Sequence, residues 1–85
     1  MDTQQAYTLI DIVNALPDPE LSGTCCARTA WDNAARENYI VVEWGNNLHC
    51  QKDLHTIEDV NNFIADVYQG TATPDRDLDW MRNNA

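Results

Sequence analysis

Residues 38–52 constrain this chain most. Asn38-Tyr39-Ile40-Val41-Val42-Glu43-Trp44 is rich in β-branched and aromatic residues, which favour a pleated, half-buried strand. Alternation places Ile40, Val42 and Trp44 on one face and Tyr39, Val41 and Glu43 on the other. Gly45-Asn46-Asn47 then supplies residues that accept positive φ, as a tight hairpin requires. Leu48–Lys52 reads as the return strand. Pairing Trp44 with Leu48 and Val42 with Cys50 keeps all four on one face, so we expect a three-residue loop.

A hairpin alone is marginal in water and needs a packing partner. Two flanking segments offer one. Residues 3–16 read as a helix with Asp2 as N-cap and Gln5 completing a capping box. Ala6, Leu9, Ile10, Val13 and Leu16 form its apolar face, and Pro17 ends it. Residues 57–69 read as a second helix, capped by Thr56 with Asp59 at the third position and stopped by Gly70. Its expected buried stripe is Ile57, Val60, Ile64, Val67 and Tyr68, with Phe63 at the edge.

Between the first helix and the hairpin, Pro17-Asp18-Pro19-Glu20 is a stiff acidic connector or the opening of a short helix. Residues 21–37 admit two readings. One is a helix from Thr29 through Ala30, Trp31, Ala34 and Ala35; the other is a strand at 24–31 followed by a loop or helical turn at 32–37. We favour the strand. Residues 71–85 read as an acidic tail or a short helix starting near Thr73-Pro74. The expected architecture is α+β: a small antiparallel sheet, hairpin or three-stranded meander, packed against two amphipathic helices. A single domain spans 1–70, followed by the tail. At 85 residues there is no room for a second lobe.

Charge narrows the function. Fourteen Asp and Glu stand against five Lys and Arg, a formal net charge of -9. Residues 1–27 carry Asp2, Asp11, Asp18 and Glu20 and no base, for -4; residues 28–52 balance to zero; residues 53–85 carry seven acids against Arg76 and Arg82, for -5. Direct nucleic-acid binding is disfavoured, because affinity for phosphate is built from Lys and Arg. A basic protein partner is favoured, if the two acidic ends meet in space.

Other chemistry is weakly supported. Cys25, Cys26, His49, Cys50 and His55 lack the paired spacing of a structural zinc site, since adjacent residues on a strand point to opposite faces. We therefore expect no metal and no cofactor. A cysteine nucleophile needs an electropositive setting, and only Arg28 is close in sequence to Cys25 and Cys26, so we expect no enzyme. Asp75, Asp77 and Asp79 lack the glycine and closing glutamate of a helix–loop–helix calcium site. Three cysteines, an odd number, suit free thiols in a reducing compartment. The start Met1-Asp2-Thr3-Gln4-Gln5 has no basic, apolar leader, and no run is long enough to span a membrane, so we expect a cytoplasmic protein.

In size, acidity, absence of a leader and helix–hairpin–helix order, the chain resembles the small acidic anti-CRISPR proteins of phages. It is similar at the same level to bacterial immunity proteins that neutralise nuclease toxins. The likeness lies in composition and element order, and no motif carries functional residues across. It implies a non-enzymatic inhibitor, in the host cytoplasm if phage-encoded, that binds a basic nucleic-acid-handling protein or CRISPR effector complex and blocks access of DNA or RNA. The residues expected to face that partner are Asp53, Glu58, Asp59, Asp66, Asp75, Asp77 and Asp79, with Trp80 as an aromatic anchor and Tyr68 as a second. Helix 57–69 is about 20 Å long, a length of duplex that carries about twelve phosphates, so a partial plug fits better than a full mimic. Two alternatives stand beside this. One is an adaptor module joined through Leu78, Trp80 and Met81. The other is a winged-helix-like regulator built on helix 3–16, a helix near 29–38 and the hairpin.

Overall fold

The hairpin forms the centre of the sheet. In the computed structural model, which describes residues 1–84, β2 (Glu37–Trp44) pairs antiparallel with β3 (Cys50–Leu54) and with β1 (Cys26–Asp32) on its other side. A two-residue strand, β4 (Arg76–Asp77), adds to the far edge of β3, giving the order β1-β2-β3-β4. Two longer helices, α1 (Thr3–Asn14) and α2 (Ile57–Gln69), pack on one face of the sheet, and a short α3 (Leu78–Asn83) follows β4. The protein is a small α+β fold.

The faces of β2 follow the alternation. Ile40, Val42 and Trp44 are buried under the helices with Ala6, Val13, Leu54, Val60 and Phe63. Tyr39 and Glu43 are half-buried on the open face, where Tyr39 stacks on His55 with centroids 4.5 Å apart. Val41 shares that face but is 4% exposed, placed between its strand partners Arg28 and Asp53.

The register differs from the expected one. Trp44 pairs with Cys50 and Val42 with Lys52, so the loop holds five residues, 45–49, instead of three. A 3-10 turn, Asn46–Leu48, occupies it, with positive φ at Gly45, Asn47 and Leu48. The slip is two residues, the side-chain period of a strand, so Cys50 still lies on the buried face beside Trp44.

Both long helices begin where their caps place them. The Asp2 side chain accepts the Gln5 backbone N–H and the Gln5 side chain accepts the Asp2 backbone N–H; Thr56 and Asp59 do the same for α2. Gly70 closes α2 in the left-handed conformation. α1 ends at Asn14, two residues before the expected stop, because the Asn14 side chain turns to bond the Ala27 N–H (2.7 Å) and C=O (3.4 Å) on the outer edge of β1. Leu16 stays buried beyond the helix end.

The inward face of α2 is rotated from the expected stripe. Val60 and Phe63 are its buried residues and Ile64 and Val67 pack half-buried against the core as expected, while Ile57 is 45% and Tyr68 72% exposed. Phe63 sits at the centre because it meets the Trp44 ring, centroids 5.4 Å apart, and these two large groups fill the space between sheet and helix.

Residues 21–37 take the strand reading. β1 covers 26–32, and Asp32 Oδ1 then accepts the Ala34 and Ala35 N–H groups in a side-chain-supported turn, with Arg36 at positive φ. No helix forms at 29–38, which removes the reading element of the winged-helix alternative. No helix opens at Asp18 either: Pro17 bridges Thr24, and the chain between them bends around the Asp18 carboxylate. At the other end, the 71–85 segment returns along β3 as β4 and α3, with Ala85 outside the described residues.

Candidate functional site

Nine of the fourteen acidic residues fall into two groups with different environments. The first is the helical layer. Asp2 caps α1 and Asp11 lies on it; Glu58, Asp59 and Asp66 lie on α2; neither helix contains a Lys or Arg. All five bases lie elsewhere: Arg28 on β1, Arg36 in the turn, Lys52 on β3, Arg76 on β4 and Arg82 on α3. α1 and α2 lie side by side and run in the same direction. Their starts share a groove lined by Asp2, Gln5, Leu9 and Ile57, and their ends share one lined by Asp11, Ile12, Leu16, Ile64 and Tyr68. The charge is therefore joined to exposed apolar surface, with Tyr7, Ile12, Ile57 and Tyr68 all open to solvent.

The second group is spent on the fold. Asp53 receives both guanidinium NH groups of Arg76 at 3.0 and 2.7 Å, which hold its carboxyl below the usual range. Asp75 pairs with Lys52 at 3.4 Å and accepts the Asp53 N–H at 2.9 Å. Asp77 hydrogen-bonds His49 and caps α3 by accepting the Trp80 N–H. Asp79 pairs with Arg82 at 3.4 Å. Of the residues expected to face a partner, Glu58, Asp59 and Asp66 lie on α2, while Asp53, Asp75, Asp77 and Asp79 are tied to cationic groups around the β3–β4 edge; a groove between α2 and that edge brings Asp59 and Asp66 together with Lys52, Asp53 and Asp75. Asp59 also caps its own helix, by accepting the His55 and Thr56 N–H groups. Trp80 is 64% exposed on α3, away from that layer's grooves.

A third arrangement has no signature in the sequence. His49 is the last residue of the β2–β3 loop, with a side chain only 15% exposed. Its Nδ1 meets Asp77 at 3.0 Å and its Nε2 meets Glu20 at 2.8 Å. Hydrogen bonds to Asp77 and then Glu20 raise its pKa to about 9, so the ring is an imidazolium at neutral pH that joins the 17–25 connector to β4. The neighbouring Asp18 secures the same corner. Burial acts against its ionisation, but the N–H groups of Glu20, Leu21 and Gly45 outweigh burial and keep the pKa low. Gly45 leaves room for the pair. A Cβ there would lie 2.7 Å from both Glu20 Oε2 and His49 Nε2.

Cys50 Sγ lies 3.5 Å from His49 Nε2 and 3.5 Å from Glu20 Oε1. A thiol beside a histidine suggests a nucleophile, but burial first and the carboxylates second push Cys50 up to about 12. Burial likewise raises Cys25 to about 11. Both thiols are 2% exposed and held protonated, the opposite of the lowered pKa that activates a cysteine nucleophile. His49 and Cys50 both reach this point because His49 precedes the strand, so the alternation that separates strand neighbours does not apply to it.

Comparison with protein-family profiles, with curated proteins and with solved structures found no match to this chain. Among the described residues, no helix is long and apolar enough to cross a membrane.

Proposed function

We propose that the protein is a non-enzymatic acidic inhibitor of the anti-CRISPR kind, acting in the cytoplasm, which sets the outer surface of α1 and α2 against a basic groove of a nucleic-acid-handling protein. One observation carries this reading: two base-free helices lie side by side with five acids and exposed Tyr7, Ile12 and Tyr68. Acids give steering toward a basic groove, and aromatic and aliphatic groups give an anchor once water is displaced. Five charges against about twelve phosphates on an equal length of duplex make it a partial plug.

The test is binding to a guide-RNA-loaded effector or basic nuclease from the same host, measured across a salt series. Glu58→Lys with Asp66→Lys is expected to weaken binding tenfold or more, roughly the loss of two charge pairs at a partly desolvated surface, and the wild-type affinity to fall steeply with salt. Binding that ignores both salt and this pair of substitutions sinks the reading.

A second reading rests on the exposure of Trp80 and Met81 on α3, which suits an adaptor contact. Trp80→Ala that abolishes partner capture while the lysine pair does not would favour it.

A further inference from the structure

We infer that Glu20, His49 and Cys50 form a binding site for one zinc-class divalent ion. Carboxylate, imidazole and thiolate together are the mixed O, N and S donor set that zinc accepts, whereas magnesium and calcium take oxygen ligands. The donor atoms are already gathered. Glu20 Oε2 and His49 Nε2 are 2.8 Å apart, and Cys50 Sγ is 3.5 Å from Nε2 and from Glu20 Oε1. An ion about 2.0–2.3 Å from each donor in tetrahedral array needs separations of roughly 3.3–3.7 Å, which the Cys50–His49 distance already meets, while the Glu20 carboxylate must shift to bring one oxygen to that distance from both. Sγ is nearly equidistant from both ring nitrogens, 3.6 Å from Nδ1, so the imidazole must also turn to aim Nε2 at the ion. Glu20, with a 46% exposed side chain, is free to follow.

The surroundings suit a cation. Asp77 holds Nδ1 at 3.0 Å and leaves Nε2 for the ion, the carboxylate–histidine arrangement common around zinc. Asp18 and Asp79 add negative charge within the same corner. Gly45 leaves the space beside Nε2 and Oε2 that any side chain would fill. The exchange balances in charge: one dication enters, and the thiol proton and one imidazolium proton leave. Three protein donors leave a fourth position for water.

The test is a Co²⁺ and Zn²⁺ titration of reduced, metal-free protein, by absorbance and by competition with a chromophoric chelator. One ion per chain is expected, with a thiolate-to-cobalt charge-transfer band. Cys50→Ser and His49→Gln should abolish the band and weaken zinc binding at least tenfold. Asp77→Asn should weaken it by about 10–100-fold with the band kept, as a residue that positions the histidine. Exposed Cys26 lies outside the site, so Cys26→Ser should change nothing. A wild-type protein that binds no cobalt overturns the inference without any variant. So does a band that survives Cys50→Ser or disappears in Cys26→Ser.

Discussion

Replacing Gly45 by alanine tests whether the corner around His49 is built on a bare backbone. Gly45 has φ +84 and ψ -180, a conformation open essentially to glycine alone, and holding another residue there costs about 1–3 kcal/mol. The new Cβ would also sit 2.7 Å from Glu20 Oε2 and His49 Nε2, so one of them must move. Glu20 can swing outward, but His49 is held by Asp77 and enclosed. Gly70→Ala is the internal control: φ is +76 there too, in the ordinary left-handed region, with nothing within 4 Å of its Cβ. Its cost should be about 1–2 kcal/mol. One kcal/mol moves the melting temperature of a domain this size by about 4–8 °C. We expect Gly45→Ala to lower it by about 10–20 °C and Gly70→Ala by about 5–10 °C, read by circular dichroism with a chelator present. In a His49→Ala background the excess of Gly45→Ala over Gly70→Ala should shrink, since the ring is gone. Equal costs for the two alanines, or an excess untouched by His49→Ala, would refute the reasoning.

Three further outcomes are expected. Phe63→Ala should cost about 3–5 kcal/mol by urea unfolding, and Ile57→Ala under about 1 kcal/mol because Ile57 is nearly half exposed; the reverse order would restore the unrotated stripe. Thr56→Ala should cost about 1 kcal/mol through loss of the α2 cap, with little change in the sheet as read by hydrogen exchange. Asp53 has a folded pKa below its unfolded value, so its ion pair with Arg76 stabilises the protein above the unfolded value and is lost as pH falls through the folded one. The advantage of wild type over Asp53→Asn should therefore hold above about pH 4 and vanish in stronger acid; an advantage independent of pH would show that packing, not charge, is at stake.

Much of this was legible residue by residue. The bounds of α2 agree with the sequence reading because capping is local: Thr56, Asp59 and Gly70 act within four residues of the helix ends. The faces of β2 are equally local, since alternation is a property of the extended chain. The phase of α2 was not legible, because either stripe is apolar and only the position of Trp44 selects Phe63. β4 was invisible at two residues, its pairing with β3 supported by Arg76 on Asp53 and Asp77 on His49. The grouping of Glu20, His49, Cys50 and Asp77 had no signal either, because its members lie up to 57 positions apart.

The charge shows the same division. That the chain carries -9, with acids at both ends and bases only in between and toward the tail, is written in its residues. Which acids are available is not. Tertiary structure ties Asp53, Asp75, Asp77 and Asp79 to Arg76, Lys52, His49 and Arg82, sets Asp59 and Asp66 in a groove with Lys52 and Asp2 in one with Arg36, and leaves Asp11 and Glu58 on helices without a base. Composition counts charges, but attraction depends on separation and on the water between them, and only the packing of distant segments sets those.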